Sequence, residues 1–180
     1  MNIRRIVTGN NSASKSVVIS DGAPPATVEF KQVPGLQAAL VWSTEPDTLV
    51  GEEVTEPSSL TNSWIPTPGG SKAMVIVFPP DSVMGSPDFD PAAAGREYME
   101  NLPGLAETFE VEAPGMHRTN SVDYAVVLDG EIFLELDDGE IRQLHKHDLV
   151  VQNGTRHAWR NRSDSPATVL FVLVGAARAA

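Results

Sequence analysis

The run HRTNSVDYAVVLDGEIFLELDDGEIRQLHKHDLVVQNGTRHAWRN occupies residues 117–161. Its apolar segments are short, and turn-forming residues separate them. Val122–Leu128 ends in Asp129-Gly130, Glu131–Leu136 ends in Asp137-Asp138-Gly139, and Asp148–Gln152 ends in Asn153-Gly154. Asp-Gly and Asn-Gly tolerate the positive φ of tight turns, so these breaks predict hairpins. Ile132, Leu134 and Leu136 share one strand parity while Glu131 and Glu135 take the other, which predicts a sheet with one buried face. Glu140–Leu144, His157–Arg160 and Thr168–Val174 extend the series. Short strands at this spacing predict an antiparallel sandwich or barrel.

The preceding part of the chain has a different texture. Residues 1–116 hold 13 of the 14 prolines. Arg4–Val7, Ser16–Ile19, Ala39–Trp42 and Ala73–Phe78 are short, partly β-branched runs between turn signals, so they read as strands. Residues 1–80 therefore read as a strand-rich N-terminal arm packing on the barrel. Residues 81–116 read as a connecting or lid segment, and residues 117–175 as the core of one overall domain. Within the connection, Asp90 as N-cap and Pro91 at the first helical position predict a short helix reaching Asn101.

Composition narrows the function classes. The chain has 180 residues, 41% of them hydrophobic and 21% charged, which suits one globular domain. Cysteine is absent, which excludes disulfides and thiolate chemistry. Asp and Glu number 24 against 13 Lys and Arg, a net charge of −11 that repels a phosphate backbone. The N-terminal apolar run is too short for a signal peptide, and no later stretch is long enough to span a bilayer. A cytoplasmic location, a small-molecule substrate, no nucleic-acid or membrane partner, and a homodimer are expected. In that dimer the N-terminal strands would cover a sheet edge of the second copy.

The four histidines are His117, His145, His147 and His157. Residues two apart on a strand face the same side, so His117, Thr119 and Asp123 can point together into a barrel. Antiparallel pairing can set His157 opposite the His117 strand, with Trp159 in phase with it. Two imidazoles and a carboxylate make a facial ligand set for a divalent metal such as iron, and zinc or manganese also suit it. Without a metal, His117 and Asp123 would form an acid–base pair. His145-Lys146-His147 reads as a solvated turn at the barrel rim. Gln152 is expected as a polar contact at the cavity mouth, Trp159 as a pocket wall, and Tyr124 as core or interface. Met84, Met99 and Met116 read as core filler.

Two segments carry a family resemblance. Gly115-Met116-His117-Arg118-Thr119, followed by Asp123 and closed by Gly130, resembles the first motif of the cupins: His-x-His, an acidic residue, then glycine. His147-Asp148, then Gln152-Asn153-Gly154, His157 and Asn161 resemble the second motif. Thr119 stands where the family usually has its second histidine and Asp123 where it has glutamate. Gln152 stands in place of proline and His147 in place of glycine. The resemblance implies an all-β jelly-roll barrel, with His117, Asp123 and His157 as catalytic residues and metal ligands and with Thr119, Gln152 and Trp159 as substrate contacts.

The expected activity is a metal-supported enzyme acting on a small carbonyl- or carboxylate-bearing metabolite, cyclic or aromatic rings included. Redox-neutral isomerase, cyclase, dehydratase or decarboxylase chemistry is favoured. A non-haem iron dioxygenase and a non-catalytic ligand-binding barrel are the alternatives. Fold alone does not choose among them.

Overall fold

The computed structural model describes residues 2–51, 54, 56 and 62–179. Among these, β1 (Arg5–Asn10) and β2 (Ser16–Gly22) pair with each other. β3 (Ala26–Glu29), β4 (Gln37–Thr44) and β5 (Ser71–Phe78) follow. After the helix α1 (Pro91–Asn101) come β6 (Ser121–Asp129), β7 (Glu131–Glu135), β8 (Ile141–His145), β9 (Leu149–Asn153), β10 (Ala158–Arg160) and β11 (Ala167–Gly175). A six-stranded sheet in the order β3-β4-β5-β11-β6-β9 is accompanied by a three-stranded sheet, β10-β7-β8. All pairings are antiparallel, and the arrangement is a jelly-roll barrel.

Only one of the three turn signals makes a hairpin. β7 and β8 pair directly across Asp137–Gly139. β6 and β7 lie in different sheets, and so do β9 and β10. The reason is that both edges of β6 are already taken, by β11 and by β9, so β7 has no free edge on β6 to join. Asp129-Gly130 instead turns a corner between sheets. Gly130 has φ +75°, and a Cβ there would stand 2.6 Å from the Pro166 carbonyl oxygen. Only glycine permits both the left-handed backbone and this close approach.

The inward faces of the six-stranded sheet carry Leu40, Met74, Val169, Phe171, Ala125 and Val127, all buried, and Ile132 of β7 joins them. Burying these side chains is the main force holding the two sheets together, at roughly 1.5–3 kcal/mol for each large one. The connecting segment is packed rather than loose: Ala94, Leu102, Leu105 and Ala106 belong to the same core. α1 starts as expected, with Asp90 Oδ1 accepting from the Ala92 and Ala93 N–H groups at 2.9 and 3.0 Å. Met116 is buried, but Met84 and Met99 are exposed, so the latter two do not fill the core. Their sequence setting is apolar, yet both lie on the outside of the connection.

The outer face of the same sheet is unusually apolar. β11 reads ATVLFVLVG, with no polar alternation. Tyr124, Leu128, Leu149, Val151 and Val174 are all exposed there, and the register sets Tyr124 beside Val151 and Val172. No described helix is long and apolar enough to cross a membrane.

Candidate functional site

His117 and His157 meet through their backbones. Each N–H donates to the other's carbonyl, at 2.9 and 3.0 Å, in an isolated antiparallel bridge. This rung continues the three-stranded sheet beyond β10, and a further bridge joins His117 to Phe109. The rings consequently lie 4.3 Å apart, centroid to centroid, and both residues are buried. Arg156 fixes the turn beside His157, with Glu110 accepting two bonds of 2.7 Å and Asp137 a third of 2.6 Å.

The two imidazoles are oriented alike. His117 Nδ1 lies 3.1 Å from the Gly115 carbonyl oxygen, and His157 Nδ1 lies 3.0 Å from that of Thr155. A carbonyl oxygen only accepts, so each Nδ1 carries the proton and each Nε2 keeps a free lone pair. Burial holds both rings neutral. The His157 pKa is pushed down to about 4, first by desolvation and then by its neighbour His117. That of His117 is also lowered, chiefly by desolvation. A nitrogen of pKa about 4 is a weak base at neutral pH, but an unprotonated lone pair suits a ligand.

Asp123 sits on β6, buried to 5% exposure. Its Oδ2 accepts from the Thr119 hydroxyl at 3.3 Å, and that hydroxyl in turn accepts from Ser121 at 2.9 Å. Its Oδ1 is buried with no hydrogen-bond partner. Desolvation raises the carboxyl pKa, and the Ser121 and Thr119 hydroxyls only partly oppose this. An unpaired buried carboxylate oxygen is costly and calls for a proton, a cation or a ligand group.

Not all of the expected site residues come together. His117 and His157 are side by side, with Thr119 and Asp123 joined by their own hydrogen bond. Among the described residues, however, no group of three or more His, Asp or Glu side chains is gathered closely enough to hold a metal ion. Asp123 is a methylene shorter than glutamate, so its carboxylate stays with Thr119. The donor chemistry still fits a divalent cation, with two oriented Nε2 lone pairs and one orphaned carboxylate oxygen. Thr119 supports Asp123. Gln152 lies next to Asp123 in register, but its amide nitrogen donates to the Thr155 hydroxyl and so braces the turn before His157. Trp159 meets His157 edge-on at 6.0 Å and Phe171 at 5.2 Å, forming an aromatic wall. His145 and His147 are exposed on the turn before β9.

Three features were not identified in the sequence. Phe109 stacks on His117 at 4.9 Å, although nothing in its own segment marks it. Asn161 is a structural staple: its amide donates to the Phe78 and Ser165 carbonyls at 2.9 and 2.8 Å, and its Oδ1 accepts from Ser163. Lys72 is 4% exposed on the inward side of β5. Its signal was available, since it is in strand phase with the core residues Met74 and Ile76.

Residues 107–173 match the family model described as Cupin domain. The chain is 67% identical over 48 residues to phomopsin biosynthesis cluster protein C' of Diaporthe leptostromiformis, covering 27% of this chain and 25% of that protein. It is 37% identical over 98 residues to oryzines biosynthesis cluster protein J of Aspergillus oryzae, covering 53% and 51%. These matches therefore span a quarter to a half of those relatives' lengths. It is 29% identical over 177 residues to the cupin-domain-containing oxidoreductase fogC of Aspergillus ruber, covering 94% and 71%. Among solved structures it resembles a putative ethanolamine utilization protein Q from Salmonella typhimurium, with 11% identity, a TM-score of 0.42, and 98% and 99% of the two chains covered. Taken with the jelly-roll barrel and the two sequence motifs, the match identifies residues 107–173, which contain His117, Asp123 and His157, as a cupin domain.

Proposed function

We propose that this chain is a metal-supported cupin enzyme that transforms a small carbonyl- or carboxylate-bearing metabolite in a small-molecule biosynthetic route. The observation that carries the reading is the pair of neutral imidazoles, each with Nδ1 tied to a backbone carbonyl and Nε2 free, beside a carboxylate with an orphaned oxygen. His117 and His157 would hold a divalent ion, with Asp123 Oδ1 as the third donor. Such an ion supplies Lewis-acid polarisation of a substrate oxygen. The residues themselves divide the remaining work. Asp123, with its raised pKa and its Thr119–Ser121 hydroxyl relay, is the group suited to hold and move a proton. Trp159 and Phe171 provide an apolar wall that excludes water from one side of the pocket.

The test is solvent-deuterium exchange followed by proton NMR, with zinc-, manganese- or ferrous-loaded protein and a panel of small oxo acids and cyclic ketones. Exchange at carbon next to a carbonyl, lost in Asp123→Asn, is the expected result. Absence of exchange across the panel would remove the redox-neutral reading. A second reading, a non-haem iron oxygenase, is supported by relatives named as cupin-domain-containing oxidoreductases, among them fogC. Oxygen uptake by the ferrous-loaded protein with the same panel would favour it.

The proposed assembly is a homodimer. The apolar outer face around Tyr124, Leu149 and Val151 supports a second copy of this chain as its cover, because a face of that character is unusual on a monomer.

A further inference from the structure

Lys72 is an oddity in the interior. It occupies the core-facing side of β5, in phase with Met74 and Ile76, and is 4% exposed. It makes no hydrogen bond or ion pair with any described residue. A buried ammonium without a partner costs stability. Burial lowers its pKa from the ordinary lysine value, and only the field of Glu45 opposes this.

The register locates it with respect to the site. Lys72 on β5 stands opposite Leu173 on β11, and Leu173 stands opposite Asp123 on β6. Adjacent strands lie roughly 4.8 Å apart, so Lys72 and Asp123 are about 10 Å apart at the backbone, on one inner face. Asp123 in turn stands opposite Gln152 on β9. One row across the barrel wall therefore carries two buried groups of opposite type. Each lacks a partner, the lysine amine altogether and the carboxylate at Oδ1. They do not pair with each other. The neighbouring row holds Met74, Phe171 and Ala125, and Phe171 continues into the aromatic wall through Trp159 and Phe78.

We propose that Lys72 is the cationic half of a carboxylate-binding subsite inside the barrel. It would anchor a ring-bearing acid so that the reacting end points toward Asp123 and the histidine pair. This deepens the enzyme reading above and rests on it for the role of the far end of the ligand. The row itself supplies the argument for an anion: an ammonium sits on one side, the opposing carboxylate lies too far across to neutralise it, and an aromatic wall adjoins the gap. A charge-assisted bond from an ammonium to a carboxylate is among the stronger polar contacts a ligand can make in a sheltered site.

The test is isothermal titration of the purified protein with benzoate and with its neutral isostere benzamide. Wild type, Lys72→Met, Lys72→Arg and His157→Ala are compared, each checked for an intact thermal transition. The expected result is benzoate binding at least tenfold tighter than benzamide in wild type. That preference should vanish in Lys72→Met, survive in Lys72→Arg, and persist in His157→Ala. Binding lost in His157→Ala but unchanged in Lys72→Met would mean that a carboxylate sits at the histidine pair, and would overturn the role of Lys72 while leaving the enzyme reading intact. No preference for benzoate in wild type at tens of millimolar would also overturn it. Failure of the exchange and oxygen-uptake tests with the Lys72-dependent preference intact would instead remove the enzyme reading and leave an anion-binding barrel.

Discussion

Asp123 shows how a single side chain carries both a cost and a function. Its folded pKa is raised, so the native state holds the proton at pH values where the unfolded chain has released it. Stability from this group is therefore full below the unfolded carboxyl pKa and is lost as pH rises through the folded one. Asp123→Asn should raise the melting temperature of chelator-treated protein at pH 7 by a few degrees while abolishing any proton-transfer activity, both readable in one calorimetry and exchange experiment. His157 runs the other way. Its folded pKa of about 4 lies below the ordinary histidine value, so the unfolded chain takes up the proton first. Stability of the metal-free protein should fall as pH drops from about 6.5 to 4, by on the order of 3 kcal/mol from this residue. Denaturant titrations of His157→Gln should show a shallower pH dependence over that window. A third residue, His147, sits at φ +77°, where glycine is at ease and histidine is strained. The resemblance already set glycine as the usual residue there, and the backbone gives the reason. His147→Gly should stabilise by about 0.5–1 kcal/mol, measurable as a shifted urea midpoint.

At the scale of elements, the strands were legible because their periodicity and turn residues are local. The paired histidines were legible because parity and the two motifs set them on facing strands. The hairpin expected at Asp129-Gly130 was not realised, because which strand takes an edge depends on β11, nearly forty residues downstream, and no local pattern carries that. The same gap hid the role of Asn161. Its bonds reach Phe78, more than eighty residues away in the chain. Asn161→Ala leaves two buried carbonyls without a donor and should cost about 2–4 kcal/mol. Gly130→Ala should cost about 2 kcal/mol or more, since it adds left-handed backbone strain to a clash with the Pro166 carbonyl. Both are checked by chemical denaturation. The ternary ligand set was the least legible feature. Parity set Asp123 inward correctly, but side-chain reach, one methylene short, keeps its carboxylate with Thr119.

For the whole molecule, the two faces of the six-stranded sheet pose different questions. The outer face carries Tyr124, Leu149 and Val151 exposed on adjacent strands. Charged residues there would oppose a second copy, so Val151→Lys should shift the sedimentation coefficient from dimer to monomer without lowering the melting temperature of the barrel. The inner face holds the central claim, that His117 and His157 with Asp123 form the centre holding a divalent ion. Metal content by inductively coupled plasma mass spectrometry tests it most directly, on wild type and His157→Ala purified without chelator. Near-stoichiometric iron, zinc or manganese in wild type, lost in the variant, is the predicted result. No metal in either protein, even after reconstitution with each ion, would contradict the account.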